Sequence, residues 1–391
     1  MRKTRDKIAI IGGGIGGLTM ALTLKRNNQK FKLFEKSNEF KEIGAGIGIA
    51  SNALEIFDKL NIGNELRRRG HLLKRTILAT EKLEILKTIP FPKEVYCIHR
   101  ALIIDAISNE LDKNSYELSK EVESIENKKI IKVKFKDETI EEFDTLIASD
   151  GINSTIRKSV FPEIGIRHAH QVIWRGITKF DINADLKHTY YELFEGTLRF
   201  LFLPLNDTEI FWLAVQEKKN LNKHSSISLK SYLLKIYKNF NPIVLDILNR
   251  TTECDILQNE LADIKPYYKS WFKNNIVFIG DSIHATTPNL GQGACQAIED
   301  AYTLGLCLKN NTDDVFFDYQ NIRIKKVKYI VKQSWRIGKM SLTTGILRKK
   351  LLHVLLRLFP AKQYQKRFNR IIDIKYLNKL ENTAAKTVYK K

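Results

Sequence analysis

Three carboxylates recur along this chain in one kind of setting. Glu35 follows the apolar run Phe31 to Phe34, Asp150 follows Thr145 to Ala148, and Asp281 follows the run that ends at Gly280. Two of the three are tied to glycine clusters. Gly12, Gly14 and Gly17 fill a G-x-G-x-x-G pattern upstream of Glu35, and Pro288, Gly291, Gln292 and Gly293 come just after Asp281. These residue types hold anionic, hydroxyl-rich ligands. Gly12 permits a tight turn, Gly14 lets the backbone approach a pyrophosphate, and Gly17 lets a helix pack closely on a strand. Glu35, 18 residues past Gly17, is placed to accept hydrogen bonds from a ribose, with Lys36 beside it. The pattern points to a dinucleotide and does not by itself separate FAD from NAD.

The elements that must position these groups follow from the hydrophobic pattern. Lys7 to Ile11 reads as a short strand. Leu18, Leu22 and Leu24 lie in a helix ending near Asn27 and Asn28, and Phe31 to Phe34 is a second strand. A further cluster at Gly44, Gly46 and Gly48, with Ala45 inside it, is either a bend before a helix starting near Ser51 or backbone laid against a flat ring. Residues 97–111 read as a helix opened by Arg100. An arginine in a first helical turn opposes the helix dipole, so its partner is a phosphate or a surface acid. A hairpin turns at Lys136-Asp137, the strand Thr145 to Ala148 leads to Asp150-Gly151, and Arg157 lies in the next helix. In open α/β sheets ligands gather at the carboxyl ends of strands. Two strand-end acids and one glycine fingerprint therefore indicate a single extended ligand crossed by several loops.

From about 166 to 265 the pattern turns β-branched and aromatic, with a hairpin turn at Asn206-Asp207, and predicts an antiparallel sheet. Alternation puts Arg199, Leu201 and Leu203 on one face and Phe200 and Phe202 on the other. Arg175 and Arg199 are either surface or ion-paired arginines or anchors for a substrate anion.

The bulk numbers narrow the class. With 391 residues, 43% hydrophobic, the chain is long enough for two intimately joined domains. Cys97, Cys254, Cys295 and Cys307 form no C-x-x-C pair, which argues against a disulfide framework or zinc site and fits a reducing compartment. No histidine-based metal motif is present, so no metal is expected. No signal peptide or membrane span is read, and the expected location is cytoplasmic. The net charge is +21, but residues 321–391 hold 20 Lys and Arg against Asp373 and Glu381, which is +18 of the total. That tail is a solvated helical face, a peripheral contact with an anionic membrane or partner, or, with no recognition motif to accompany it, a nucleic-acid site. Nucleic acid is the reading set aside.

Taken in order, the fingerprint with Glu35, then "GAGIGIASNAL", Arg100, "DGINSTIR" and "GDSIHATTPNLGQGACQAIEDA" resemble the group A flavoprotein monooxygenases, the para-hydroxybenzoate hydroxylase fold, over nearly the whole chain. Within that family the likeness is to salicylate-hydroxylase-like and urate-hydroxylase-like enzymes, although Ser51 stands where the pattern often has proline. The resemblance implies an α/β fold: a Rossmann-like FAD-binding domain (1–70, 98–165 and 270–320) interleaved with a smaller, mainly antiparallel-sheet substrate domain (71–97 and 166–269), then a basic C-terminal helical region (321–391).

The resemblance also implies roles. Gly12, Gly14, Gly17, Glu35 and Lys36 hold the ADP half of FAD, Arg100 supports the pyrophosphate side, and Asp150 serves FAD and the nicotinamide donor. Asp281 accepts from the ribityl chain, while Ala45, Gly46, Pro288, Gly291, Gln292 and Gly293 lie along the isoalloxazine ring. In the implied cycle NAD(P)H reduces FAD, O2 adds at the flavin C4a position, and the resulting hydroperoxide hydroxylates a small aromatic or heteroaromatic ring. Arg199 and His284 are the catalytic candidates, with His284 either titrating or supporting its loop. Phe211 stands where urate-type enzymes have tyrosine, 12 residues after Arg199, which favours a phenolic substrate over urate. The alternative is an epoxidase or reductase acting on an unsaturated lipid-like substrate at a membrane. The expected assembly is a monomer or homodimer.

Overall fold

A computed structural model of the chain describes residues 7–40, 46–221, 228–267, 269–311, 314–340 and 345–388. Gly44 and Ala45 lie outside them. The fully apolar runs of the sequence form a six-stranded sheet in the order Phe272–Lys273, Ile276–Phe278, Thr145–Ala148, Ile8–Ile11, Phe31–Phe34, Tyr116–Glu117. All pairs but the first are parallel, with Ile8 beside both Thr145 and Phe31. A parallel sheet is covered on both faces, and for that reason its strands lack polar alternation. Helices Ile15–Arg26 and Gly293–Asn310 pack on each other beside it. A three-stranded meander, Val122–Asn127, Ile131–Phe135 and Ile140–Phe143, sets Phe135 and Phe143 against Phe34, with ring centroids 4.8 and 5.7 Å away. Because Ile8–Ile11, Phe31–Phe34, Thr145–Ala148 and Ile276–Phe278 run in one direction, the residues after them all emerge at one edge.

The second sheet has eight strands in the order Leu257–Ile264, Ile166–Lys179, Glu209–Glu217, Leu198–Pro204, Thr189–Glu195, His71–Thr80, Ile85–His99, Gly46–Ala50. It is antiparallel except where Thr189–Glu195 runs parallel to His71–Thr80. Gly46–Ala50 joins it by pairing with Ile85–His99, Gly48 opposite Cys97. The sequence reads 166–269 as mainly strand, but two helices interrupt it, Leu229–Ile236 and Pro242–Arg250. Their starts have local causes: the Ser228 side chain accepts from Ser231 N, and the Asn241 side chain accepts from Ile243 N ahead of Pro242. These helices cover the face that carries Trp174, Phe200, Phe202 and Trp212. The opposite face carries Arg199, Leu201 and Leu213 and looks toward the first sheet's loops.

Four helices complete the chain: Val315–Met340, Ile346–Leu358, Ala361–Ile372 and Tyr376–Val388. No described helix is long and apolar enough to cross a membrane.

Candidate active site

The first loop is built by glycines with distinct steric jobs. Gly12 has φ +103°, and a Cβ there would lie 2.4 Å from the Ser149 carbonyl oxygen. A Cβ on Gly17 would lie 1.9 Å from the Gly12 carbonyl oxygen, which is how closely helix Ile15–Arg26 packs on the turn. Gly14 differs: no described atom lies within 4 Å of where its Cβ would be. Its bare Cα, at the uncapped N-terminus of that helix, faces open space. Glu35 accepts from Gly13 N at 2.5 Å and from Ser37 N at 2.9 Å. A carboxylate has about four acceptor positions, so capacity remains for hydroxyl donors. Lys36 is exposed.

Asp150 and Asp281 stand at the same edge. Asp150 Oδ2 accepts from Ile156 N at 3.3 Å, while its buried Oδ1 has no hydrogen-bond partner among the described residues. Burial pushes its carboxyl above the ordinary range, against the hydrogen bond from Ser154. Asp281 has an exposed surface although protein surrounds it, the situation of a group lining a deep groove. Burial raises its carboxyl too, opposed by His284 and by Arg100, which opens the helix Arg100–Ser108. Arg157 ties the two loops together. Its guanidinium donates to the carbonyls of Ser282 and Ile152, both at 2.6 Å, from a fully buried position.

After Asp281 the chain makes a short turn at Pro288–Leu290, and Gly291 takes φ +60° to leave it. Helix Gly293–Asn310 therefore begins two residues later than Gly291, and no described side chain caps it. The first N–H groups of the helix stay available, and no described atom lies within 4 Å of where a Gly291 Cβ would be. The Gln292 side chain turns inward instead, accepting from Asn52 at 3.2 Å and Gln296 at 3.0 Å. His284 takes the loop-supporting arrangement. Its buried ring packs against Trp271, and Nε2 sits 2.5 Å from Asp300 Oδ2.

Asp300 is a residue the sequence reading missed. It also accepts from Gly280 N at 2.9 Å and Arg323 Nε at 2.7 Å. Burial opposes its ionisation, but His284 and Arg323 outweigh burial and hold the carboxyl low. Glu299 beside it takes Arg323, Lys326 at 2.8 Å, Asn52 at 2.6 Å and Tyr376 at 2.9 Å. The available signal was two adjacent acids, Glu299 and Asp300, inside an otherwise apolar helical stretch. Charges there survive only if paired.

The sheet face opposite these loops carries a second polar group. Cross-strand register lines up Arg175, Leu213, Leu201 and Glu192 in one row, with Val215 and Arg199 in the next. Arg199 is buried, with Nε 3.2 Å from Glu192 Oε1, and it donates through its terminal nitrogen to Asn289 Oδ1 at 2.8 Å. Asn289 belongs to the Pro288–Leu290 turn, so Arg199 connects the sheet to that loop. Tyr190 OH donates to Glu192 Oε2 at 3.3 Å. Burial pushes the Glu192 carboxyl up, and Arg199 and then Tyr190 oppose it. Phe211 lies against Gly46, whose Cβ would fall 2.6 Å from its ring, so the ring against this backbone is supplied by the protein itself. Tyr364, from helix Ala361–Ile372, is within electrostatic reach of Glu192.

The set fits an extended dinucleotide such as FAD. An orphaned buried carboxylate oxygen, two glycines whose missing side chains leave an open approach, and two uncapped helix starts converge on one edge.

Comparison with known proteins agrees. A family model described as "FAD binding domain" matches residues 5–314. The chain is 26% identical to Aurachin C monooxygenase/isomerase of Stigmatella aurantiaca, covering 86% of this chain and 90% of that protein. It is 26% identical to 2-heptyl-3-hydroxy-4(1H)-quinolone synthase of Pseudomonas aeruginosa, covering 93% and 97%. The structure of Klebsiella pneumoniae HpxO complexed with FAD and uric acid superposes with a TM-score of 0.85 at 22% identity, covering 94% and 96%, and shares the fold.

Proposed function

This chain belongs to the family described as FAD binding domain, and we infer that it is an FAD-dependent monooxygenase of aromatic or heteroaromatic rings. From that premise we propose that its substrate is a neutral heteroaromatic ring of the 4-quinolone type bearing an alkyl chain, with a reduced nicotinamide as electron donor. FAD, when bound, supplies the activation of O2 that a side chain cannot provide. The residues do the rest. The Gly12–Gly17 turn and the first N–H groups of helix Ile15–Arg26 take the pyrophosphate, with Arg100 on the same side. Glu35 would take the adenosine ribose, Asp150 and Asp281 would take hydroxyl and amide donors, and Pro288, Gly291 and Gly293 would give backbone to the ring, whereas Gly46 is already covered by Phe211. The N-terminus of helix Gly293–Asn310 stabilises negative charge placed before it.

The observation that carries the substrate reading is the Arg199–Glu192 pair. An arginine left alone on this face would select a carboxylate, as an anchor for a benzoate. Here Glu192 lies 3.2 Å away, so an incoming carboxylate meets like charge, at a cost of several kcal/mol for direct juxtaposition. A neutral ring with one carbonyl and one N–H or O–H finds a donor and an acceptor side by side. Glu192 Oε2 holds the substrate proton, Arg199 orients the carbonyl, and Leu201, Leu213 and Phe211 exclude water around the apolar remainder. A relative whose name carries a 3-hydroxy-4-quinolone product points the same way.

The test is product formation by the FAD-loaded protein with NADH or NADPH, comparing a 2-alkyl-4-quinolone with salicylate and 3-hydroxybenzoate. Hydroxylated quinolone with coupled nicotinamide consumption is expected. Coupled hydroxylation of the benzoates at equal or higher kcat/KM would overturn the substrate reading.

A further inference from the structure

The tail holds a helix that is turned the wrong way round for a soluble protein. In Ile346–Leu358 the residues Leu351, Val354, Leu355 and Leu358 follow the i, i+3, i+4, i+7 spacing of a buried stripe. They are 58%, 47%, 52% and 74% exposed. Ile85, on the strand Ile85–His99 against which this helix packs, adds 58% exposure. Lys87, on the same strand, donates through Nζ to the Arg357 carbonyl at 3.2 Å.

The charge around this ridge is one-sided. From Tyr319 to Ile372 the sequence has 15 Lys and Arg and no acid. Lys350, Arg357, Lys362, Lys366, Arg367 and Arg370 come from the ridge helix and the next one. We propose that the ridge Leu351, Val354, Leu355 and Leu358 is an interfacial docking surface for an anionic lipid bilayer, its leucines entering the acyl boundary and the surrounding lysines and arginines resting on headgroup phosphates. Exposed apolar side chains rimmed by unopposed cations match an anionic lipid surface in both respects. A second copy of this chain would bring the same positive field against itself. With no described helix able to span, the attachment is peripheral. Location supplies a purpose. The neighbouring helix Ala361–Ile372 packs on the second sheet through Phe368 and Phe91, with centroids 5.6 Å apart, and Tyr364 on it lies within electrostatic reach of Glu192. A docked protein presents the substrate face next to the bilayer, where alkylated rings partition.

The inference stands apart from the substrate reading, because docking is measured without any substrate. The experiment is co-sedimentation of the full FAD-loaded chain with vesicles of pure phosphatidylcholine or of phosphatidylcholine with roughly one-third phosphatidylglycerol, at low and high salt. Binding to the anionic vesicles that weakens with salt is expected, and Leu355→Glu with Leu358→Glu should weaken it at least tenfold. Both positions are exposed, so thermal unfolding and bound flavin should stay as in the wild type. A second variant, Arg357→Glu with Arg367→Glu, should remove the salt-sensitive part. Equal sedimentation of wild type and the leucine variant overturns the proposal. So does binding that ignores lipid charge, or a self-association lost in the leucine variant with no vesicle binding in the wild type.

Discussion

Gly14 and Gly17 sit three residues apart, and alanine should fail at the two positions in opposite ways. At Gly17 a Cβ would lie 1.9 Å from the Gly12 carbonyl oxygen, more than an ångström inside the 3.0 Å that real Cβ atoms respect. Both sides of that clash are backbone, so neither rotates away and helix Ile15–Arg26 has to retreat from its strand. Overpacking of this kind costs about 1–3 kcal/mol, and a backbone collision belongs at the upper end. At Gly14 no described atom lies within 4 Å of the new methyl, so the fold loses only the difference between glycine and alanine at a helix N-cap, up to about 1 kcal/mol. The methyl instead stands where the pyrophosphate approaches. A displacement worth about 2–3 kcal/mol corresponds to roughly 30- to 150-fold weaker FAD binding. The assay is urea denaturation of the flavin-free proteins alongside FAD titration by fluorescence quenching. Gly14→Ala should move the dissociation constant far more than stability, and Gly17→Ala should cost stability first. If Gly14→Ala binds FAD as the wild type does, or unfolds as easily as Gly17→Ala, the steric reasoning about this loop is wrong.

The buried charges give further tests. Arg199→Met removes the cation opposing burial at Glu192, so the carboxyl, already raised, rises further. A group whose folded value exceeds its unfolded one costs nothing below the unfolded value and the full amount above the folded one. The variant should therefore lose stability against wild type as pH climbs from about 4.5 toward 8, and adding Glu192→Gln should abolish that trend in denaturant melts. Asp300→Asn leaves Glu299 as the charged partner of Arg323 among the described residues, beside the neutral Gln296 and Tyr376, and weakens the hold on Gly280 N and His284. Breaking a buried pair costs about 3–5 kcal/mol, and the remaining Glu299 contact places this case near 3, readable by urea denaturation. Burial pushes the thiols of Cys97 and Cys295, and of Cys307, up to about 12, whereas Cys254 is exposed. A thiol reagent at pH 8 should titrate one cysteine in the native chain and four after denaturation.

What could be read from the sequence was what local chemistry decides. The strands Phe31–Phe34 and Thr145–Ala148, the helix start at Ser51 and the helix opened by Arg100 all follow from apolar runs bounded by Gly, Asn or Asp, although residues 97–99, read as part of that last helix, instead end the strand Ile85–His99 and the helix stops at Ser108. Arg199, Leu201 and Leu203 sharing a face follows from a period of two. Pairings between distant segments were not readable. Glu192 facing Arg199 depends on cross-strand register, and Asp300 meeting Arg323 and His284 depends on three elements crossing. Nor did the sequence separate the two uses of glycine in 44–48, since the ring against Gly46 belongs to Phe211, 165 positions away. The helices within 166–269 were hidden because their stripes are short and sit among β-rich neighbours.

The loop edge of the first sheet is assembled from segments near residues 12, 150 and 281, with Thr145–Ala148 lying between the first strand, Ile8–Ile11, and the late one, Ile276–Phe278. On the ribosome almost three-quarters of the chain has to be synthesised before the last of these loops is even made, and more before it clears the exit tunnel. The nucleotide-binding turn at the N-terminus is thus complete long before it has anything to close against. Flavin capture becomes a late event that locks distant pieces together, and a cell short of the vitamin precursor should accumulate chains that stall at that last step and fall to proteases.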